Sequence, residues 1–116
     1  MMPTTPIKQL TSREMISLGN PTWSPEEKEA VVEYLADQSF HWMSSTGMRT
    51  KDSRTGATLP WYPDTMADDE GHYWLITLPY YIKEYDTLVP RDYIDFVMAK
   101  HESGWRPTVP IRGFSY

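Results

Sequence analysis

The sequence contains no cysteine, which excludes a disulfide scaffold, a thiolate nucleophile, an iron–sulfur cluster and any zinc site built on sulfur ligands. That absence suits a reducing compartment, and the cytoplasm is the expected location. Long apolar runs are missing too. No unbroken stretch exceeds four residues, as in Tyr73-Trp74-Leu75-Ile76, against the roughly 20 that a membrane helix needs. The opening Met-Met-Pro-Thr-Thr-Pro-Ile-Lys has no apolar centre of the kind a signal peptide carries. Neither export nor membrane contact is expected.

Aliphatic residues are scarce. Leu, Ile, Val and Phe together number 21 of 116, below the roughly 20% share under which disorder becomes an option. Five Trp, eight Tyr and seven Met make up the shortfall, and rings of this kind bury large apolar areas. Eleven basic against sixteen acidic residues leave a net charge of only −5, too little to keep such a chain expanded. A chain of this length makes one domain that buries about two-thirds of its unfolded surface. Pro- and Thr-rich residues 1–10 read as an extended arm, 11–104 as a globular core, and Pro- and Gly-containing 105–116 as a second arm.

Catalytic signatures are also lacking. The chain holds no G-x-S-x-G, H-E-x-x-H, G-x-x-x-x-G-K-[ST] or G-x-G-x-x-G motif. His41, His72 and His101 fall on three separate elements. No cofactor is expected, and the leading expectation is a protein without enzymatic activity.

What is present supports an α+β fold: two main helices packed on a small antiparallel sheet or hairpin, with extended N- and C-terminal arms. Ser24-Pro25-Glu26-Glu27 is a strong helix start, with Ser as N-cap, Pro at the first position and Glu at the third. It predicts a helix over Pro25–Gln38 with Val31, Tyr34 and Leu35 inward and Ala30 at the margin. Pro90–Glu102, closed by Ser103-Gly104, predicts the second helix, with Tyr93, Ile94, Val97, Met98 and His101 on its core side. A shorter helix opens at Thr11-Ser12-Arg13-Glu14. Asp52–Gly56 reads as the turn of a hairpin joining Met48–Lys51 to Ala57–Tyr62. Residues 63–71 read as an acidic loop, His72–Leu78 as a buried strand, and Tyr80–Tyr85 as one or two helical turns after Pro79.

Charge is distributed in blocks: residues 25–39 sum to −4, 40–63 to +2 and 64–70 to −4. In the first block Glu26, Glu29, Glu33 and Asp37 recur at helical spacing and fall within about 80° of one another on a helix. Like charges at i,i+4 cost roughly 0.2–0.5 kcal/mol per pair, so the ridge suits a basic partner better than water alone.

Three further groups are candidates. Asp68, Asp69, Glu70 and His72, with Asp64 nearby, offer oxygen and imidazole ligands on a loop. Their spacing is not that of a calcium loop, and the favoured reading is a solvated acidic turn without metal. The alternative is a metal-assisted hydrolase or transferase. Arg49, Lys51 and Arg54 lie among Trp42, Trp61 and Tyr62, a mixture that could hold single-stranded nucleic acid by stacking and charge. Three cations between two acidic blocks are few for that, and direct nucleic-acid binding is not expected. Tyr73, Tyr80, Tyr81, Tyr85 and Tyr93, with Trp74 and Trp105, stand in for a Leu/Ile core. The expected partner is therefore another protein or a second copy of the chain. It would be gripped by Glu26, Glu29, Glu33 and Asp37 and by the rings of Trp42, Trp61 and Tyr62, as in an assembly subunit or a small acidic inhibitor.

Overall fold

The structure, a computed structural model, describes residues 5–7 and 23–106. The helix expected from Thr11 and most of both arms lie outside the described residues. Along the chain the elements are β1 (Thr5–Pro6), α1 (Pro25–Leu35), β2 (His41–Met43), β3 (Thr65–Ala67), β4 (His72–Leu75), α2 (Leu78–Tyr85) and α3 (Arg91–Glu102).

α1 begins where its capping residues put it. The Ser24 hydroxyl accepts the Glu27 amide at 3.1 Å, and the Glu27 carboxylate accepts the Ser24 amide at 2.9 Å. The reciprocal pair satisfies two donors that a helix start leaves open. The helix stops at Leu35 rather than running to Gln38. Beyond it the Asp37 carboxylate accepts the Ser39 amide at 3.0 Å, a local bond that competes with helix continuation, and Gln38–Phe40 tightens into a 3-10 turn.

Strand order is β1-β4-β3-β2, with β2, β3 and β4 antiparallel and the two-residue β1 parallel beside β4. Met66 of β3 pairs with Trp74 of β4, and both side chains are buried. Thr65 lies opposite Leu75 and Met43, which point the other way and stay exposed. The expected hairpin forms but does not join this sheet. Thr50 bonds to Trp61 and Leu59, Asp52 to Ala57, and Lys51 bridges Thr58, so residues 50–61 are a separate two-stranded ribbon. In its turn Gly56 takes φ +74°, a conformation that side chains with a Cβ disfavour. The sheet instead recruits His41–Met43 and Thr65–Ala67, the second of these from inside the expected acidic loop. β4 ends at Leu75 because Ile76-Thr77 turns the chain into α2.

α1 packs on α2 and α3, and the helices and strands share one buried core. Val31, Tyr34 and Leu35 of α1 and Tyr93, Ile94 and Val97 of α3 are buried as their spacing predicts. Aromatic rings add to a buried core that is largely aliphatic: of the tyrosines expected to stand in for it, Tyr93 is buried while Tyr73, Tyr80, Tyr81 and Tyr85 are half-buried. Tyr34 sits at the hub, its ring centroid 4.9 Å from Phe40, 5.0 Å from Trp105, 6.0 Å from Phe96 and 6.2 Å from Trp74. Trp105, read as the first residue of the C-terminal arm, thus packs against the core. Residues Thr5–Ile7 of the other arm join the sheet through β1 and the Ile7–Tyr73 backbone bond.

Candidate functional site

With the ring centroids of Tyr34 and Tyr93 6.3 Å apart, α1 and α3 pack together. Between them lies a cleft of about 240 Å³ lined by Glu26, Glu29, Ala30 and Glu33 of α1 and by Met98 and His101 of α3. Ala30 and Met98 give it an apolar floor, and three carboxylates form one wall. Glu26 and Glu29 are exposed and Glu33 is half-buried. None of the three pairs with a cation among the described residues.

Nearby cations are committed elsewhere. Lys28 reaches Asp86 at 2.8 Å on the other side of α1, and Lys100 reaches Glu70 at 2.9 Å. Arg91 bridges Glu27 and Asp95. The Arg91 guanidinium and the Ser24 backbone amide hold the Glu27 carboxyl below the usual carboxylate range. Of the four acidic residues placed on one ridge by spacing, three therefore line the cleft. Asp37 does not: it follows the helix end and is fully buried, because its carboxylate turns back onto the chain. Met98 and His101, expected on the core side of α3, line the cleft, and Met98 also packs against the core. Their separation by three residues put them on one helix face, but nothing local to either helix revealed which face the other would approach.

The aromatic candidates divide. Trp42 is 43% exposed and Tyr62 40% exposed, while Trp61 at 7% belongs to the core, edge-to-face with Tyr80 at 5.8 Å. Trp61 is thus corrected from a contact residue to a packing residue. Its neighbours along the ribbon expose the opposite face, as strand alternation requires.

Arg49, Lys51 and Arg54 are exposed. The Arg49 guanidinium lies 5.5 Å from the Tyr62 ring centre and that of Arg54 lies 4.3 Å from Tyr85. No carboxylate pairs with any of the three among the described residues. The ribbon that carries them is anchored on α2. Buried Asp52 accepts the hydroxyls of Tyr80, at 2.6 Å, and Tyr85, together with the amides of Arg54 and Thr55. The Tyr80 and then the Tyr85 hydroxyl hold Asp52 well below the ordinary carboxylate range. In turn the hydrogen bond to Asp52 raises both phenols. The Tyr81 hydroxyl accepts the Ser53 amide at 3.0 Å. Sequence patterning did not link Asp52 to α2, since their contacts span about thirty residues.

The acidic loop is closed on itself. Asp68 is buried, and its carboxylate accepts the Tyr34 hydroxyl at 2.7 Å and the amides of Glu70 and His72 at 3.0 and 2.9 Å. Nδ1 of His72 lies 2.9 Å from the same carboxylate. Burial, followed by the Asp68 hydrogen bond, pushes the Tyr34 phenol far above its usual range. Asp69 is exposed, and Glu70 is taken by Lys100. Among the described residues no group of three or more His, Asp or Glu is arranged to hold a metal ion. Asp64, at the far end of the loop, instead holds His41 at 3.0 Å and the Ser45 amide at 2.7 Å.

The fold defines a small α+β domain with an acidic, apolar-floored cleft, and among the described residues no helix is long and apolar enough to cross a membrane. Compared with protein-family models, curated proteins and solved structures, the chain matches none.

Proposed function

We propose that this protein is a non-enzymatic binding protein whose α1–α3 cleft takes a basic segment of a protein partner, as a subunit of an assembly or as a small inhibitor. The observation that carries this reading is that Glu26, Glu29 and Glu33 have no cation partner among the described residues, around a floor of Ala30 and Met98. A lysine or arginine side chain fits both parts. Its methylene stem covers the apolar floor while its charged head reaches the carboxylates. Left without a partner, Glu29 and Glu33 repel one another across one helical turn.

Exposed charge pairs are individually weak, and they act most on association rate and specificity. Binding in the cleft is therefore salt-sensitive. Isothermal titration with pentalysine tests it: binding at low ionic strength that weakens at least tenfold in half-molar salt supports the reading. Salt-independent binding, or none, rejects it.

A further inference from the structure

Two surfaces of opposite charge have no counter-charge among the described residues, and their spacings correspond. One is the cleft wall, where Glu29 and Glu33 are separated along α1 by one turn, a rise of about 6 Å. The other is the ribbon, where Arg49 and Lys51 are two residues apart in extended chain, about 6.6 Å. Alternation puts these two cations on one face, beside the exposed ring of Tyr62 that Arg49 stacks against. Each set lacks a counter-charge within the chain among the described residues. The apolar floor of Ala30 and Met98 complements the ring and the apolar stems of the two cations.

The two surfaces cannot satisfy each other in one molecule. Lys28, about 160° around α1 from Glu26, binds Asp86 at the end of α2. The ribbon is pinned to α2 by Tyr80, Tyr81 and Tyr85. The cleft opens on the opposite side of α1, toward α3. Resting on the reading of the cleft as a site for a basic segment, we infer that its occupant is the Arg49–Lys51 ribbon of a second copy of this chain. Such a contact joins two different patches, so it is head-to-tail and leaves one patch of each kind open for a further copy.

A second mode of self-association, strand addition at β2, is disfavoured by the edge geometry. The register slips between His41 and Met43 against β3, and a bulge of this kind at a sheet edge turns the edge away from pairing. Long-range repulsion between copies of net charge −5 is screened beyond about 8 Å at physiological ionic strength. The local pairs therefore govern the contact, and its affinity is modest.

Sedimentation equilibrium of the intact chain from ~10 µM to ~1 mM tests the inference. The average mass rises with concentration at low ionic strength and returns to that of a monomer in half-molar salt. Two variants, Arg49→Glu/Lys51→Glu and Glu29→Lys/Glu33→Lys, each remain monomeric alone. Mixed together they associate, because the reversed ribbon of one meets the reversed cleft of the other. A wild-type chain that stays monomeric throughout, variants that still associate singly, or a mixture that fails to associate each overturn it. Pentalysine titration of wild type runs alongside. Binding of the peptide by a strictly monomeric protein retains the basic-segment reading while rejecting the second copy, and no peptide binding rejects both.

Discussion

The hydroxyl of Tyr34, on α1, donates to the buried carboxylate of Asp68 at 2.7 Å, tying the helix that forms the cleft wall to the loop between β3 and β4. The same ring is the hub of the aromatic core. One side chain thus fixes the position of α1 by packing and by charge-assisted hydrogen bonding together.

Two tyrosine-to-phenylalanine changes are predicted to act in opposite directions. Tyr34→Phe leaves the Asp68 carboxylate, buried among rings, short of a donor and costs about 1–3 kcal/mol. Tyr93→Phe removes a buried hydroxyl that has no hydrogen-bond partner among the described residues and is stabilising, by ~1 kcal/mol. Urea unfolding of both variants measures the pair, and equal destabilisation would contradict the two environments described.

Tyr34, Tyr80, Tyr85 and Tyr93 all have phenols raised above the ordinary value of 10.0. For Tyr34 and Tyr93 burial is the main cause, and for Tyr80 and Tyr85 it is the hydrogen bond to Asp52. A group raised on folding contributes stability that is intact below its unfolded value and lost as pH climbs toward the folded one. Stability therefore falls above pH ~10. Absorbance at the phenolate band should show these four of the eight tyrosines titrating only as the fold is lost. A single transition near the ordinary value for all of them would be inconsistent with this.

Asp52→Ala is predicted to free the ribbon turn from α2 by removing the acceptor shared by Tyr80 and Tyr85. Cleavage after Lys51 and Arg54 under limited trypsin digestion should accelerate roughly tenfold, since proteolysis follows local opening. An unchanged cleavage rate would mean that the Tyr81 contact and backbone pairing hold the turn alone.

Among the tryptophans, Trp61→Ala empties a core position and costs about 3–5 kcal/mol, whereas Trp42→Ala, at 43% exposure, changes stability by less than about 0.5 kcal/mol. Thermal unfolding of the two variants separates packing residue from surface residue.

Both main helices were legible in the sequence because their signals are local. Ser24, Pro25 and Glu27 mark one start, Pro90 the other, and the apolar spacings name the buried sides. The shortfall began where contacts are distant. Asp37 continues the acidic spacing in the sequence, yet its short side chain bonds to the chain just after it and takes it off the ridge. Trp61, in the ribbon, and Trp42, in β2, both sit in segments of mixed polarity, and burial against Tyr80 distinguishes the first from the second. Asp68 sits in an acidic run typical of a solvated turn, but three hydrogen bonds and His72 draw it inside. The sheet drew on His41–Met43 and Thr65–Ala67, strands too short for periodicity to reveal. Of the cleft, one wall was readable and the facing wall was not, since helix pairing is decided by tertiary packing.

The central claim is that the cleft between α1 and α3 binds a basic segment through Glu26, Glu29 and Glu33, and amide chemical-shift mapping with pentalysine tests it most directly. Shifts are predicted to cluster at residues 26–33 and 98–101 and to vanish in Glu29→Lys/Glu33→Lys, a variant whose unfolding midpoint stays within a few degrees of wild type. Shifts that cluster elsewhere, or that persist undiminished in the variant, would contradict it.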